Sequence, residues 1–157
     1  MKSSAALFAL AIGAFAIGTT EFTPMGLLPV IADGMQVDIP SAGMLISAYA
    51  IGVAVGAPLL TALTGRMPRK ALLLGLMVLF TAGNLLAWLA PGYESLIAAR
   101  IVTGLAHGVF FSIGSTIATS LVAKEKAASA IAIMFTGLTV ALVTGVPGLS
   151  LAFLHGS

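Results

Sequence analysis

Five long apolar segments, separated by short polar ones, dominate the hydrophobic pattern along the chain. A transmembrane helix needs about 20 mostly apolar residues, because it rises about 1.5 Å per residue across the bilayer core. Each segment reaches this length, and each break holds Pro, Gly or charged residues, as expected where helices end. We therefore predict an all-α, polytopic membrane protein with about five transmembrane helices. The predicted spans cover about residues 5–32, 41–64, 71–90, 96–122 and 128–154.

The amino-acid composition agrees with a membrane location. Hydrophobic residues make up 59% of the 157 residues and charged residues 8%, against about 25% charged in soluble domains. Such a chain has too few polar side chains to coat a water-soluble globule, so the lipid bilayer is its predicted partner. The absence of Cys excludes disulfides and thiolate metal sites, and no cofactor or metal is predicted. The seven basic residues form no stripe, so nucleic acid is not a predicted partner.

The basic residues outside the spans all fall in connections on the same predicted side. The basic ones lie before the first span, between the second and third, and between the fourth and fifth: Lys2, Arg66, Arg69, Lys70, Lys124 and Lys126. The opposite connections carry Asp33, Asp38 and Glu94 and no basic residue. Because cytoplasmic loops are rich in Lys and Arg, this segregation predicts a cytoplasmic N-terminus. A cleaved signal peptide is disfavoured, because the first apolar run is too long for one.

Two charged residues, Glu21 and Arg100, lie within predicted spans. A charge near the bilayer centre costs about 2.5–3.5 kcal/mol on insertion scales, so such residues normally face a partner or a watery cavity. Glu21 lies about 15 Å and Arg100 about 8 Å from the outer ends of their helices, within reach of each other if the helices touch. We predict one shared polar cavity with Arg100 as the charge partner of Glu21. Burial and a nearby cation act oppositely on a carboxyl group, which suits reversible proton binding, although a fixed structural pair is also open.

The fourth span presents a polar and aromatic face. Arg100, Gly104, His107 and Phe111 recur at nearly helical spacing. His107 is either a proton or substrate group or a hydrogen-bonded structural residue, and both interpretations stay open. On weaker grounds, Thr20, Asn84, His107 and Phe111 are candidates to contact substrate in the cavity.

Small residues recur four apart on two spans. Gly104 and Gly108 form one such pair, and Gly52 and Gly56 form another. This spacing lets helix backbones approach closely, so a packing role is favoured.

Four stretches together resemble the N-terminal half of a major facilitator superfamily transporter, nearest to the drug/proton antiporters and their arabinose and sugar efflux members. GAPLLTALTGRMPRKALLL resembles the loop signature, with Arg66, Arg69 and Lys70 at the basic positions but Gly65 and Pro68 in place of the usual Asp and Gly. LIAARIVTGLAHGVFF resembles the fourth-helix signature, with Arg100, Gly104 and Gly108 matching. GTTEF followed by GLLPVIA resembles the first helix of the sugar efflux branch, and GLTVALVTGVPG approximates the fifth-helix signature at Gly145 and Pro147.

The resemblance implies a proton-coupled exporter of small molecules, such as drugs or sugars, in a bacterial inner membrane. It implies that Glu21 and Arg100 serve proton coupling and that Gly145 and Pro147 serve helix bending and packing. The family folds as two six-helix halves, so five spans correspond to an incomplete N-terminal half. The tail, residues 148–157, departs from the family, and we expect a fragment or an out-of-frame end.

Two other functions remain as alternatives. One is an inactive fragment or non-transporting membrane subunit that needs a second half or a second copy of itself. The other is an intramembrane enzyme using His107 and Ser115, but their eight-residue separation is about 12 Å of helical rise, beyond hydrogen-bond reach. No metalloprotease motif is present either, so we predict that the chain is not an enzyme.

Overall fold

The computed structural model describes the backbone of residues 2–154 and the side chains of residues 3–145. Its elements are α1 (Lys2–Gly34), α2 (Ile39–Thr64), α3 (Arg69–Trp88), α4 (Tyr93–Ser120), a short 3-10 helix (Lys124–Lys126) and α5 (Ala127–Leu154). Five helices are long and apolar enough to cross a membrane, and the described residues form no strand. The prediction of an all-α, five-helix membrane architecture is confirmed.

Local capping groups decide where the helices begin. The carboxylate of Asp38 accepts a hydrogen bond of 2.9 Å from the Ser41 amide at the start of α2. Hydrogen bonding with the Ser41 side chain and amide lowers the pKa of Asp38 below its usual value. Ser95 serves the start of α4, since its hydroxyl oxygen accepts from the Gly92 amide at 3.3 Å and its hydroxyl donates to the Gly92 carbonyl at 2.7 Å. As a result α4 begins at Tyr93, three residues before the expected start of the fourth span.

Helix α4 forms the centre of the bundle. The other four α-helices contact it, and α2 packs along it most extensively, while α5 packs in a similar way along α1. Side chains from α1, α3, α4 and α5 form the main apolar core, among them Ile17, Leu76, Val109, Phe110 and Met134. This arrangement puts residues 100–111 of α4, which carry the polar face predicted from the sequence, within reach of neighbouring helices.

Successive helices run in opposite directions, so the connections collect at two ends of the bundle. At one end, the Tyr93 hydroxyl donates a hydrogen bond of 2.7 Å to the carbonyl of Ser41, which joins the starts of α4 and α2. At the other end, Lys70 lines a cavity together with Ala6 and Ile117, from the start of α1 and the end of α4. The basic connections therefore share one end and the acidic connections the other. Which end faces the cytoplasm stays a prediction from the positive-inside rule.

The four glycines predicted to serve helix packing lie at the crossing of α2 and α4. A Cβ atom added at Gly56 would lie 2.6 Å from the Cα of Leu105, and one added at Gly108 would lie 2.7 Å from the carbonyl oxygen of Val53. Cβ atoms at Gly52 and Gly104 would likewise overlap the backbone of the facing helix. The two backbones therefore approach more closely than any side chain at these positions would permit.

On α5, the residues predicted to serve helix packing are Gly145 and Pro147. A Cβ at Gly145 would meet no described atom within 4 Å, so its packing role stays a prediction. The side chain of Pro147 and those of the tail, residues 148–157, lie outside the part of the chain whose side chains are described.

Candidate functional site

A cavity of about 280 Å³ opens between α1, α2 and α4. Three residues singled out from the sequence, Glu21, Arg100 and His107, line it together. The remainder of its wall comes from Met25, Ile46, Tyr49, Ala50, Val53 and Ala54. The cavity is therefore an apolar chamber with one acid, two basic side chains and one phenol.

The guanidinium group of Arg100 joins three helices. It is only 5% exposed, and it donates to the carbonyl oxygens of Thr20 at 2.7 Å on α1 and Leu45 at 3.3 Å on α2. Its central carbon also lies 4.2 Å from the ring centroid of Tyr49, a cation–π arrangement. The remaining terminal nitrogen, Nη2, has no hydrogen-bond partner among the described residues.

A proline explains why Arg100 reaches the main chain of α1. Pro24 lies inside this helix and has no N–H group, so the carbonyl of Thr20, four residues earlier, lacks its usual helical donor. Arg100 supplies that donor through Nη1. A buried carbonyl that would otherwise be unpaired is thereby satisfied by a charge-assisted hydrogen bond.

Glu21 follows Thr20 directly on α1 and lines the cavity. Its Oε2 atom is buried without a hydrogen-bond partner among the described residues, and it lies 3.8 Å from Nδ1 of His107. No ion pair joins Glu21 to Arg100 within the described part of the chain. The predicted shared cavity is present, but the direct pair that the sequence left open is not formed, because Arg100 directs two donors to main-chain carbonyls.

Tyr49 is the site residue that the sequence analysis missed. Its hydroxyl lies 2.9 Å from Nδ1 of His107, while its ring lies against Arg100. The sequence does offer a signal for it: Tyr49 lies deep inside an apolar span, and a buried phenol needs a hydrogen-bond partner. The partner itself, 58 residues further along the chain, could not be identified from spacing.

The other predicted substrate contacts lie apart from this cavity. The Thr20 hydroxyl donates to Oδ1 of Asn84 at 3.0 Å, and the Asn84 amide donates to the carbonyl of Phe80 at 2.9 Å, so this pair links α1 to α3. Phe111 is buried, with its ring centroid 4.9 Å from that of His107. Contact of Thr20, Asn84 and Phe111 with substrate stays a prediction.

The basic loop motif is remote from the Glu21 cavity. Arg66, Arg69 and Lys70 are all exposed around the connection between α2 and α3. Lys70 also lines a separate cavity of about 480 Å³ between α1, α3 and α4, whose remaining walls are apolar. The motif therefore lies at the end of the bundle and forms no part of the Glu21 cavity wall.

Comparison with known proteins decides the family. The model of the Major Facilitator Superfamily matches residues 10–157. The chain belongs to the major facilitator superfamily. Members of this superfamily are transporters, so this is a multi-pass membrane protein of a transporter family.

Three relatives agree with this assignment to the superfamily. The chain is 60% identical over 147 residues to the inner membrane transport protein YdhP of Escherichia coli (strain K12), covering 94% of this chain and 38% of the relative. It is 58% identical over 142 residues to the MFS-type transporter YtbD of Bacillus subtilis (strain 168), covering 90% of this chain and 36% of the relative. It is 41% identical over 145 residues to the chloramphenicol resistance protein of Streptomyces lividans, covering 92% of this chain and 37% of the relative. The chain thus spans little more than a third of the length of these relatives.

Proposed function

We propose that this chain forms the N-terminal part of a proton-coupled efflux carrier, in which Glu21 binds the transported proton. The observation that supports this proposal is that two charged side chains in one cavity each have a buried atom without a hydrogen-bond partner among the described residues. Oε2 of Glu21 and Nη2 of Arg100 are both buried, and neither has a hydrogen-bond partner among the described residues. Ionisable groups inside a membrane that lack fixed partners are typical of ion and proton pathways.

Opposing effects in the cavity act on the neutral and the ionised form of Glu21. An ionised carboxylate in an apolar chamber is costly, and protonation removes that cost. Arg100 lines the same chamber and favours the ionised form through its positive charge. Because Arg100 makes no direct ion pair with Glu21, the carboxylate is not locked in its charged form.

Alternating access supplies the transport step of this proposal. In major facilitator carriers, two halves rock around a site near the bilayer midplane. We propose that residues 1–157 act as one transmembrane unit with further C-terminal helices or with a second copy of the chain. The positive-inside rule gives a cytoplasmic N-terminus, in a bacterial inner membrane. Protons would then enter the cavity from the outside and leave to the cytoplasm, while substrate moves outward.

The wall of the cavity favours a lipophilic substrate over a sugar. Apart from Glu21, Tyr49, Arg100 and His107, its lining is aliphatic or thioether, and such surfaces suit small amphipathic drugs. One relative is a chloramphenicol resistance protein, so chloramphenicol is the first molecule to test. Sugars are the second class.

The test is chloramphenicol flux in proteoliposomes with an imposed pH gradient. The chain is reconstituted together with the remaining C-terminal helices of the relative YdhP, and separately alone. Wild type is compared with Glu21→Gln and with Glu125→Gln, a matched control that removes an exposed carboxylate from the 3-10 helix between α4 and α5. We expect pH-driven flux in wild type and Glu125→Gln, and its loss in Glu21→Gln.

Each outcome of this flux experiment has a definite meaning. Flux in Glu21→Gln that still follows the pH gradient would show that the proton binds elsewhere. Flux only with the added helices would mean that a second half is required, whereas flux from the chain alone would mean that a second copy suffices. No pH-driven flux of chloramphenicol or sugars in either preparation would favour the alternative of a non-transporting membrane subunit.

A further inference from the structure

One ring nitrogen in the cavity lies between two competing groups. Nδ1 of His107 is 2.9 Å from the hydroxyl of Tyr49 and 3.8 Å from Oε2 of Glu21. The first distance is a hydrogen bond, and the second is too long for one. Tyr49 is therefore the hydrogen-bond partner of Nδ1, and the Glu21 carboxylate lies next to the same nitrogen.

The chemistry of the three groups makes these two hydrogen bonds exclusive when the histidine is neutral. A neutral imidazole carries one proton, on either Nδ1 or Nε2. A phenol can donate to a bare Nδ1, whereas an ionised carboxylate can only accept from a protonated one. When Tyr49 donates to Nδ1, this nitrogen therefore has no proton to offer to Glu21.

The hydroxyl of Tyr49 is held in this position by its surroundings. Tyr49 is 2% exposed, and its ring lies under the guanidinium of Arg100. Its carbonyl oxygen faces Gly104 at the close crossing of α2 and α4, which leaves no room for a side chain at that glycine. Tyr49 is thus fixed by its ring, its hydroxyl and its backbone.

We propose that Tyr49 is a positioning residue that occupies Nδ1 of His107 and so keeps Glu21 free to bind and release a proton. The inference rests on the proposed function, because it assumes that Glu21 is the proton site. Without the phenol, His107 would carry its proton on Nδ1 and donate it to Glu21. That hydrogen bond would stabilise the carboxylate and make proton uptake at Glu21 harder.

The charged and titratable groups around His107 are few. Helix α1 contributes Glu21, α2 contributes Tyr49, and α4 itself contributes Arg100. Helices α3 and α5 bring no titratable side chain to the cavity wall among the described residues. A change at the Tyr49 hydroxyl therefore acts on Glu21 through His107, since Arg100 keeps its ring contact when Tyr49 is replaced by Phe.

The test is a pH titration of the Glu21 carboxyl by infrared spectroscopy, on the 157-residue chain in lipid nanodiscs. The Glu21 signal is the carboxylic-acid band that disappears in Glu21→Gln. In Tyr49→Phe we expect the midpoint of this titration to move to lower pH by about one unit, the effect of one charge-assisted hydrogen bond. Tyr93→Phe is the matched control, because it removes the chain's other phenol, whose hydrogen bond to Ser41 lies at the end of the bundle.

A second measurement reports directly on the imidazole of His107. With His155 replaced by Asn, ¹⁵N spectra of the single remaining histidine report which ring nitrogen carries the proton. We expect a bare Nδ1 when residue 49 is tyrosine and a protonated Nδ1 in Tyr49→Phe. In a background of His107→Leu, the substitution Tyr49→Phe should no longer move the Glu21 midpoint.

The two proposals fail in different ways. Three outcomes would overturn the positioning role and leave Glu21 as the proton site. These are an unchanged Glu21 midpoint in Tyr49→Phe, an equal shift of that midpoint in Tyr93→Phe, and a protonated Nδ1 of His107 in the presence of Tyr49. A Glu21 band that does not titrate, or pH-driven flux that survives in Glu21→Gln, would instead overturn the proposed function.

Discussion

At the crossing of α2 and α4, we expect the replacement of one glycine by alanine to lower the stability of the fold substantially. In Gly56→Ala, the added Cβ would lie 2.5 Å from the carbonyl oxygen and 2.6 Å from the Cα of Leu105. Both are backbone atoms of a helix, so neither can turn aside as a side chain would. Ordinary contact begins at 3.4 Å, and the two helices must therefore separate by about 0.9 Å at this point.

This separation has a cost beyond the local overlap. Forcing an extra carbon into a packed interface destabilises a protein by about 1–3 kcal/mol. The same movement lengthens the hydrogen bond from Arg100 to Leu45 and draws Tyr49 away from Arg100, because both partners lie on α2. We expect a loss of about 2 kcal/mol, which corresponds to a fall in Tm of roughly 4–8 °C for a chain of this size.

The assay is thermal unfolding in detergent, followed by far-ultraviolet circular dichroism. Gly75→Ala is the matched control, since Gly75 is also helical but its added Cβ would meet no atom within 4 Å. Alanine is the better helix former, so this control should keep or slightly raise Tm. Equal Tm values for Gly56→Ala and wild type would refute the argument that the close backbone approach at this crossing needs glycine.

Two further predictions concern charged residues. Arg100 reaches the Leu45 and Thr20 carbonyls from two separate nitrogens, Nε and Nη1, whereas a lysine holds all its donors on one nitrogen. We therefore expect Arg100→Lys to unfold more easily by about 2 kcal/mol, and exposed Arg66→Lys to leave Tm unchanged. Similar Tm values for the two variants would contradict this. Asp38 has a lowered pKa in the folded chain, so its capping bond stabilises the fold above the usual carboxyl pKa, and the effect is lost as pH falls through the lower folded value. Asp38→Ala should therefore lower Tm at about pH 7 but not at about pH 2.5, and a Tm difference that persists at the acidic pH would count against the capping role.

Several features of this protein could be predicted from residue order alone. Lengths of apolar runs predicted five helices, because the bilayer fixes how many residues a span needs. Charges buried within spans predicted an internal polar site, and the structure places Glu21, Arg100 and His107 around one cavity. The glycine pairs on the second and fourth spans lie at the α2–α4 crossing, but their counterparts Gly18 and Gly137 at the α1–α5 contact were not singled out.

Only the tertiary structure decided which groups bond to which. Arg100 contacts the Thr20 carbonyl and not the Glu21 carboxylate, and Tyr49 holds His107, although nothing in the local sequence connects these residues. The physical reason is that a membrane helix is apolar on all sides, since lipid and protein interior are equally dry. The hydrophobic pattern therefore determines the length of each helix and not its rotation about its axis. That rotation is set by close packing, such as that at Gly56, and it fixes which polar side chains meet in the cavity.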